Sequence, residues 1–155
     1  MTNFTKLQEN SNIQELIKST FDTDLAIGGS WGYTKEKATI IKALPQGMTL
    51  PQLEHMVTSI RAHLEMNITQ EQKNRYGGIN ANEKAREENR SKEAVFNKVT
   101  YEITAMKEDF YNAFIKEYKE GYGKEEFDMN DHFKRRKETA LTREVVHYFE
   151  VSTAQ

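Results

Sequence analysis

The sequence predicts an α+β domain of two layers, in which a mainly antiparallel four-stranded sheet is packed with helices, and three observations carry that prediction. Side chains of β character alternate at a spacing of two through Leu25, Ile27, Trp31 and Tyr33. They do so again through Val95, Val99, Tyr101 and Ile103, with Asn97 in the same register. Apolar residues recur instead at helical spacing from Leu53 to Leu64 and from Phe110 to Tyr122. The order that follows is α-β-β-α, an insert, then β-α-α-β.

The first helix is expected to start at Ser11, which makes a capping box with Gln14, and to run through Ile13, Leu16 and Ile17 to Phe21. A strand over 24–33 meets the polar turn Thr34 to Lys37, and residues 38–44 resume β-branched character. Pairing Tyr33 with Ala38 sets Trp31 opposite Ile40 and Ile27 opposite Leu44, so the large apolar side chains share one face. The other face, Ala26, Gly28, Ser30 and Gly32, is nearly bare backbone. Thr49 and Gln52 form a second capping box, with Met48 and Leu53 placed as a hydrophobic staple. The helix they start packs on the hairpin through Leu53, Met56, Val57, Ile60 and Leu64, with His55 pointing away.

Between 67 and 94, Ile68, Tyr76 and Ile79 are the bulky apolar residues amid charges of both signs. Such a stretch cannot bury a core of its own. It is expected to be a mobile charged insert within a single domain spanning 1–155, with 83–90 able to turn helical. A strand from Val95 follows, then a helix over 107–120 whose wide face holds Phe110, Tyr111, Phe114, Ile115, Tyr118 and Tyr122. Gly121 and Gly123 stop it. A short polar helix over 128–138 and a strand over 143–151 complete the order.

Lysine and arginine number 22 against 24 acids, and neither half of the chain is polarised, which argues against a globally basic nucleic-acid binder. The chain has no cysteine, hence no disulfide, thiolate metal site or cysteine nucleophile, and a reducing, cytoplasmic setting is expected. No apolar run approaches the about 18 residues of a membrane helix, and the opening segment lacks the basic start and apolar core of a signal peptide. A membrane is not among the expected partners.

Gly28-Gly29-Ser30-Trp31-Gly32 matches the G-x-S-x-G pattern of hydrolase elbows, where a strand-to-helix turn exposes the serine. The residues after Ser30 read as turn and strand, so the glycines are assigned to strand twist or close packing. His55 and His63 share a helix but stand about 80° apart around it and about 12 Å apart along it, too far for one ion. Glu144 and His147 have the E-x-x-H spacing of helical di-iron sites, but they lie on a strand and have no second copy. No catalytic residue, cofactor or metal is expected; a metal site, if formed, would draw on Asp131, His132 and His147. Lys134, Arg135, Arg136 and Lys137 make the densest basic run, and Trp31, Tyr33 and Arg75 could add stacking surface for unpaired bases. Acids on either side, Glu125 to Asp131 and Glu138, weaken its field.

The sequence is therefore read as a non-catalytic cytoplasmic binding or adaptor protein that acts through protein association, with a second copy as partner. Tyr111, Ile115, Tyr118 and Tyr122 are its expected contact residues, because their helix face is wider than one side of a small sheet needs. Single-stranded nucleic-acid binding through Trp31, Tyr33, Arg75 and the 134–137 run is the alternative. A small serine or metal-dependent hydrolase ranks third.

Overall fold

A computed structural model describes residues 6–7, 12–68 and 75–153 of the chain. The alternation from Val95 builds the central strand β4 (Val95–Lys107), whose residues Val95, Asn97, Val99, Tyr101, Ile103 and Ala105 all turn into the core. On its two sides lie β5 (Leu141–Glu150) and β3 (Tyr76–Arg90), both antiparallel to it. β5 runs parallel to β2 (Thr39–Ile41), which pairs antiparallel with β1 (Ile27–Gly29). The fold is α+β, with one mixed sheet of five strands among the described residues, in the order β1-β2-β5-β4-β3.

Two helices, α1 (Ile13–Phe21) and α2 (Leu50–His63), cover one face of this sheet, and a π-helical turn, Leu64–Ile68, prolongs α2. Ile13, Ile17, Leu53 and Val57 from the helices join Ile27, Trp31, Ile41 and Phe149 from the sheet in one core. Each such fully buried side chain contributes about 1.5–3 kcal/mol. The helix α3 (Glu108–Gly121) closes one end of the opposite face, where its Tyr111 lies against Gly77 and Gly78 of β3. α4 (Met129–Thr139) packs on α3.

The Thr49–Gln52 capping box of α2 forms with both hydrogen bonds in place. α1 is capped instead by Asn12, whose side chain accepts from Glu15 N at 3.2 Å; Ser11 lies outside the described residues.

The first hairpin differs from expectation in length and in register. Ile27 faces Ile41 rather than Leu44, and Ile40 faces Gly28 rather than Trp31. A shift of three residues exchanges the faces, so Thr39 and Ile41 are buried while Ile40 is half-buried. The cause is backbone chemistry at Gly29 and Gly32, which take φ of 74° and 78° and end the strand after Gly29. Trp31 then leaves the hairpin for the core, and Gly32 O accepts from Tyr148 N at 2.8 Å on β5. A Cβ on Gly32 would run into the His147 ring, so that side of the segment is close-packed, not open.

The fifth strand comes from the segment read as a charged insert. Residues 76–90 pair with β4 along their length, and 83–90 are strand, not helix. Only Tyr76 and Ala81 of β3 are buried, which is why the segment carries no alternating apolar signal. Among the described residues it is the outermost strand, and its charges suit an edge that resists further pairing. Pairing across β3 and β4 is irregular between Glu83 and Ala85, and Lys84 there reaches Glu102 at 3.8 Å.

Candidate functional site

The α3–α4 hairpin is held together by a buried histidine and one ion-paired carboxylate. Asp128 caps α4 by accepting from Asp131 N at 3.0 Å, and this start directs His132 and Arg135 toward α3. His132 is fully buried, and Phe114, Tyr118, Phe127 and Phe133 stand around its ring at centroid distances of 5.2–5.8 Å. Its Nδ1 meets Glu117 Oε1 at 3.1 Å. Arg135 donates two hydrogen bonds to the same carboxylate and one to Asp131 at 2.8 Å. Bonding first to Arg135 and then to His132 pulls the Glu117 carboxyl down to about 2.

This packing covers part of the wide aromatic face that the sequence shows. Tyr111 is taken by the β3 glycines, and Phe114 and Tyr118 by α4 and Phe127, so the face needs no second subunit to cover them. What stays outside is a smaller set. Phe110 is 55% exposed, Tyr122 64%, Met129 38% and Phe133 46%, and among the described residues these are all the large hydrophobic side chains that are exposed. All four lie on α3, α4 or the segment joining them.

On the sheet side of the same hairpin runs a groove of about 390 Å³, bordered by Gly78 and Asn80 of β3, Tyr111 of α3 and Phe133, Arg136 and Lys137 of α4. Arg136 lies over the Phe133 ring at 5.7 Å. Neither Arg136 nor Lys137 is ion-paired among the described residues, in contrast to Arg135.

The other ionisable groups of note are internal. Glu54 is 0% exposed and accepts from Arg86 at 2.7 Å and from Asn97 at 2.9 Å; burial raises its pKa in spite of these partners. His147 lies stacked on Phe149 at 4.0 Å, with Nε2 2.9 Å from Thr39 Oγ1 and Nδ1 2.9 Å from Thr58 Oγ1. Because Thr39 Oγ1 donates to Ser30 O at 2.7 Å, it accepts from Nε2–H, and the neutral ring then accepts from Thr58 at Nδ1. Burial, with Arg61 adding repulsion, holds the His147 pKa well below 6.5. Arg61 donates to the carbonyls of Trp31 and Val146, and Glu65 accepts from Tyr33 and Arg143. The Tyr101 hydroxyl is buried beside Glu54, and among the described residues no partner meets it with normal hydrogen-bond geometry; burial raises its pKa.

No family model, curated protein or solved structure matches this chain.

The residues singled out in the sequence fall into separate settings. Trp31 is fully buried and offers no face for stacking, while Tyr33 is half-buried under Arg61 and bonded to Glu65. Both lie on the α2 side of the sheet, across it from the 134–137 run on α4, so they do not form one surface with it. Arg75 sits just before β3, where its carbonyl accepts from Glu108 N at the start of α3. Ser30 is buried in the hairpin, and the residues after it form a turn and β2, without the helix a nucleophile elbow requires. Asp131 and His132 are engaged with Arg135 and Glu117, and His147 with two threonines; among the described residues no three potential ligands converge on one point. Lys134 and Lys137 are exposed, Ile115 and Tyr118 half-buried, and Tyr122 fully at the surface. Sequence reasoning passed over Met129 and Phe133, whose positions on a helix of polar composition gave no apolar stripe.

Proposed function

We propose that the protein is a non-catalytic binding protein whose contact surface is the exposed part of the α3–α4 hairpin, with a second copy of the chain as its partner. The observation that carries this reading is the gathering of Phe110, Tyr122, Met129 and Phe133 on one hairpin, since large exposed side chains that cluster mark contact surfaces more often than scattered ones do. Charges of both signs flank them, Lys116, Lys119 and Lys124 with Glu120, Glu125 and Glu126, and an isologous contact can pair such a set with itself. A surface confined to two short helices buries on the order of 1,200 Å² in total, the lower end for stable dimers, so the association is expected to be weak. No helix among the described residues is long and apolar enough to cross a membrane. A cytoplasmic setting suits a chain without cysteine.

The β3 edge is a poorer place for a second copy. A two-fold axis normal to a sheet keeps each residue on its own face, so self-pairing must be centred on a residue. Any centre from Lys84 to Glu88 then sets like charges opposite one another, such as Arg86 on Arg86 or Glu87 on Glu87. Light scattering tests the proposal: the mass should rise toward twice that of the chain at high micromolar concentration, and Tyr122→Glu should return it to that of one chain. A constant monomer mass over a hundredfold range of concentration, or a dimer indifferent to Tyr122→Glu, would count against it.

A further inference from the structure

We propose that the groove between the α3–α4 hairpin and the β3–β4 end of the sheet binds a small anion that carries a flat ring, the chemistry of a nucleoside monophosphate. It goes beyond the association reading and shares Phe133 with it, while Phe110, Tyr122 and Met129 do not border the groove. Charge is the first argument. In a chain whose acids outnumber its bases, this groove is bordered by Arg136 and Lys137 and by no carboxylate. Neither cation is committed to an ion pair among the described residues, whereas their neighbour Arg135 is spent on Glu117 and Asp131. Two free cations one residue apart offer an anion charge-assisted hydrogen bonds.

Ring surface is the second argument. Tyr111 is fixed against β3 because Gly77 and Gly78 have no side chains: a Cβ there would meet its ring at 2.8 and 2.7 Å, and Gly78 takes φ of 61°, where a side chain is strained. Phe133, half exposed, also borders the groove, with the Arg136 guanidinium over its ring. A planar group in the groove has two aromatic rings within its border, one of them carrying a cation, the residue types that stack bases. Asn80 lies at the same border, its amide nitrogen donating to Gly78 O at 3.3 Å. The volume of about 390 Å³ suits one nucleotide and not several.

The sheet beyond the groove selects against a longer strand. Two residues along β4 from the groove, Glu102, which Lys84 reaches at 3.8 Å, stands directly opposite Glu144 of β5, so a phosphate backbone leaving the groove that way would pass over two carboxylates and that one cation. The occupant is therefore the free nucleotide, not the same unit within a single-stranded nucleic acid.

Amide chemical-shift titration of the whole chain decides it, with adenosine 5′-monophosphate, adenosine, inorganic phosphate and a short single-stranded DNA as probes. The monophosphate should give saturable shifts centred on Gly78, Asn80 and Ala105, and adenosine and phosphate should each bind about tenfold or more weakly. Arg136→Gln with Lys137→Gln should weaken the monophosphate by about tenfold or more. Lys137→Gln alone, at an exposed position that leaves the fold untouched, should give part of that loss. The proposal is overturned by an absence of groove shifts at millimolar monophosphate, or by an affinity unchanged in the double variant. It is overturned equally if the DNA binds about tenfold tighter than the monophosphate, or if a phosphotyrosine peptide binds and the nucleotide does not.

Discussion

Replacing Arg86 by methionine probes how an edge strand so rich in charge is tied to the core. Arg86 Nη1 donates to Glu54 Oε1 at 2.7 Å, and Glu54 is fully buried, so the substitution leaves a carboxylate in the core with Asn97 as its remaining partner. Removing one member of a buried ion pair costs about 3–5 kcal/mol. Arg86 itself is 27% exposed and Asn97 still donates, which places the loss at the lower end, about 3 kcal/mol. That is a large part of the about 5–15 kcal/mol that a domain holds in total. Glu54→Gln added to Arg86→Met removes the stranded charge and should return the protein to within about 1 kcal/mol of wild type. The sign of the pH effect is a second check. Burial already raises the folded-state pKa of Glu54 above its unfolded value, and loss of Arg86 raises it further. The folded chain then holds a proton that the unfolded chain does not, so the variant's deficit should shrink as pH falls from 7 toward 5, by at most about 1.4 kcal/mol per unit. Urea unfolding followed by the fluorescence of Trp31 measures all of this. A loss below about 1 kcal/mol, or one that does not change with pH, would refute the account of Glu54 as a charge held by β3.

The His147 pKa is depressed in the folded state, so above pH 6.5 the ring is neutral whether folded or not, and below 6.5 only the unfolded chain gains its proton. Stability should therefore fall as acid is added, and His147→Gln should flatten that fall between pH 6.5 and 5; an unchanged slope would contradict the assignment. Limited trypsin digestion addresses 67–94: pairing along β3 predicts that Lys84 and Arg86 resist cleavage, and early cuts at both would restore the reading of a mobile insert.

The sequence carried the elements whose burial is one-sided and regular. β4 shows its buried face at every second residue, and α2 announces itself through Thr49 and Gln52. It could not carry β3, because an edge strand with two buried residues in fifteen needs no apolar alternation and is defined by the strand beside it. The register of the first hairpin was lost for a different reason: alternation through Trp31 looked continuous, while the positive φ at Gly29 and Gly32 breaks it. Of the candidate surface, Tyr111 and Tyr122 were legible as ring positions on one helix, but not that Gly77 and Gly78 would take one and leave the other outside. The division of the basic run, with Arg135 bound and Arg136 and Lys137 free of ion pairs among the described residues, depends on Glu117 from another helix.

The most direct measurement of association through α3 and α4 uses the absence of native cysteine, which makes Asn112→Cys a unique site for a spin label at an exposed position of α3 outside the proposed contact residues. Spin-labelled chain is mixed at high micromolar concentration with unlabelled, isotopically enriched chain of wild-type sequence, and relaxation of the enriched amides is read. Self-association through the hairpin predicts broadening confined to residues 108–139, strongest near Phe110, Met129 and Phe133. Broadening centred on the β3 edge, or none at any residue, would contradict it.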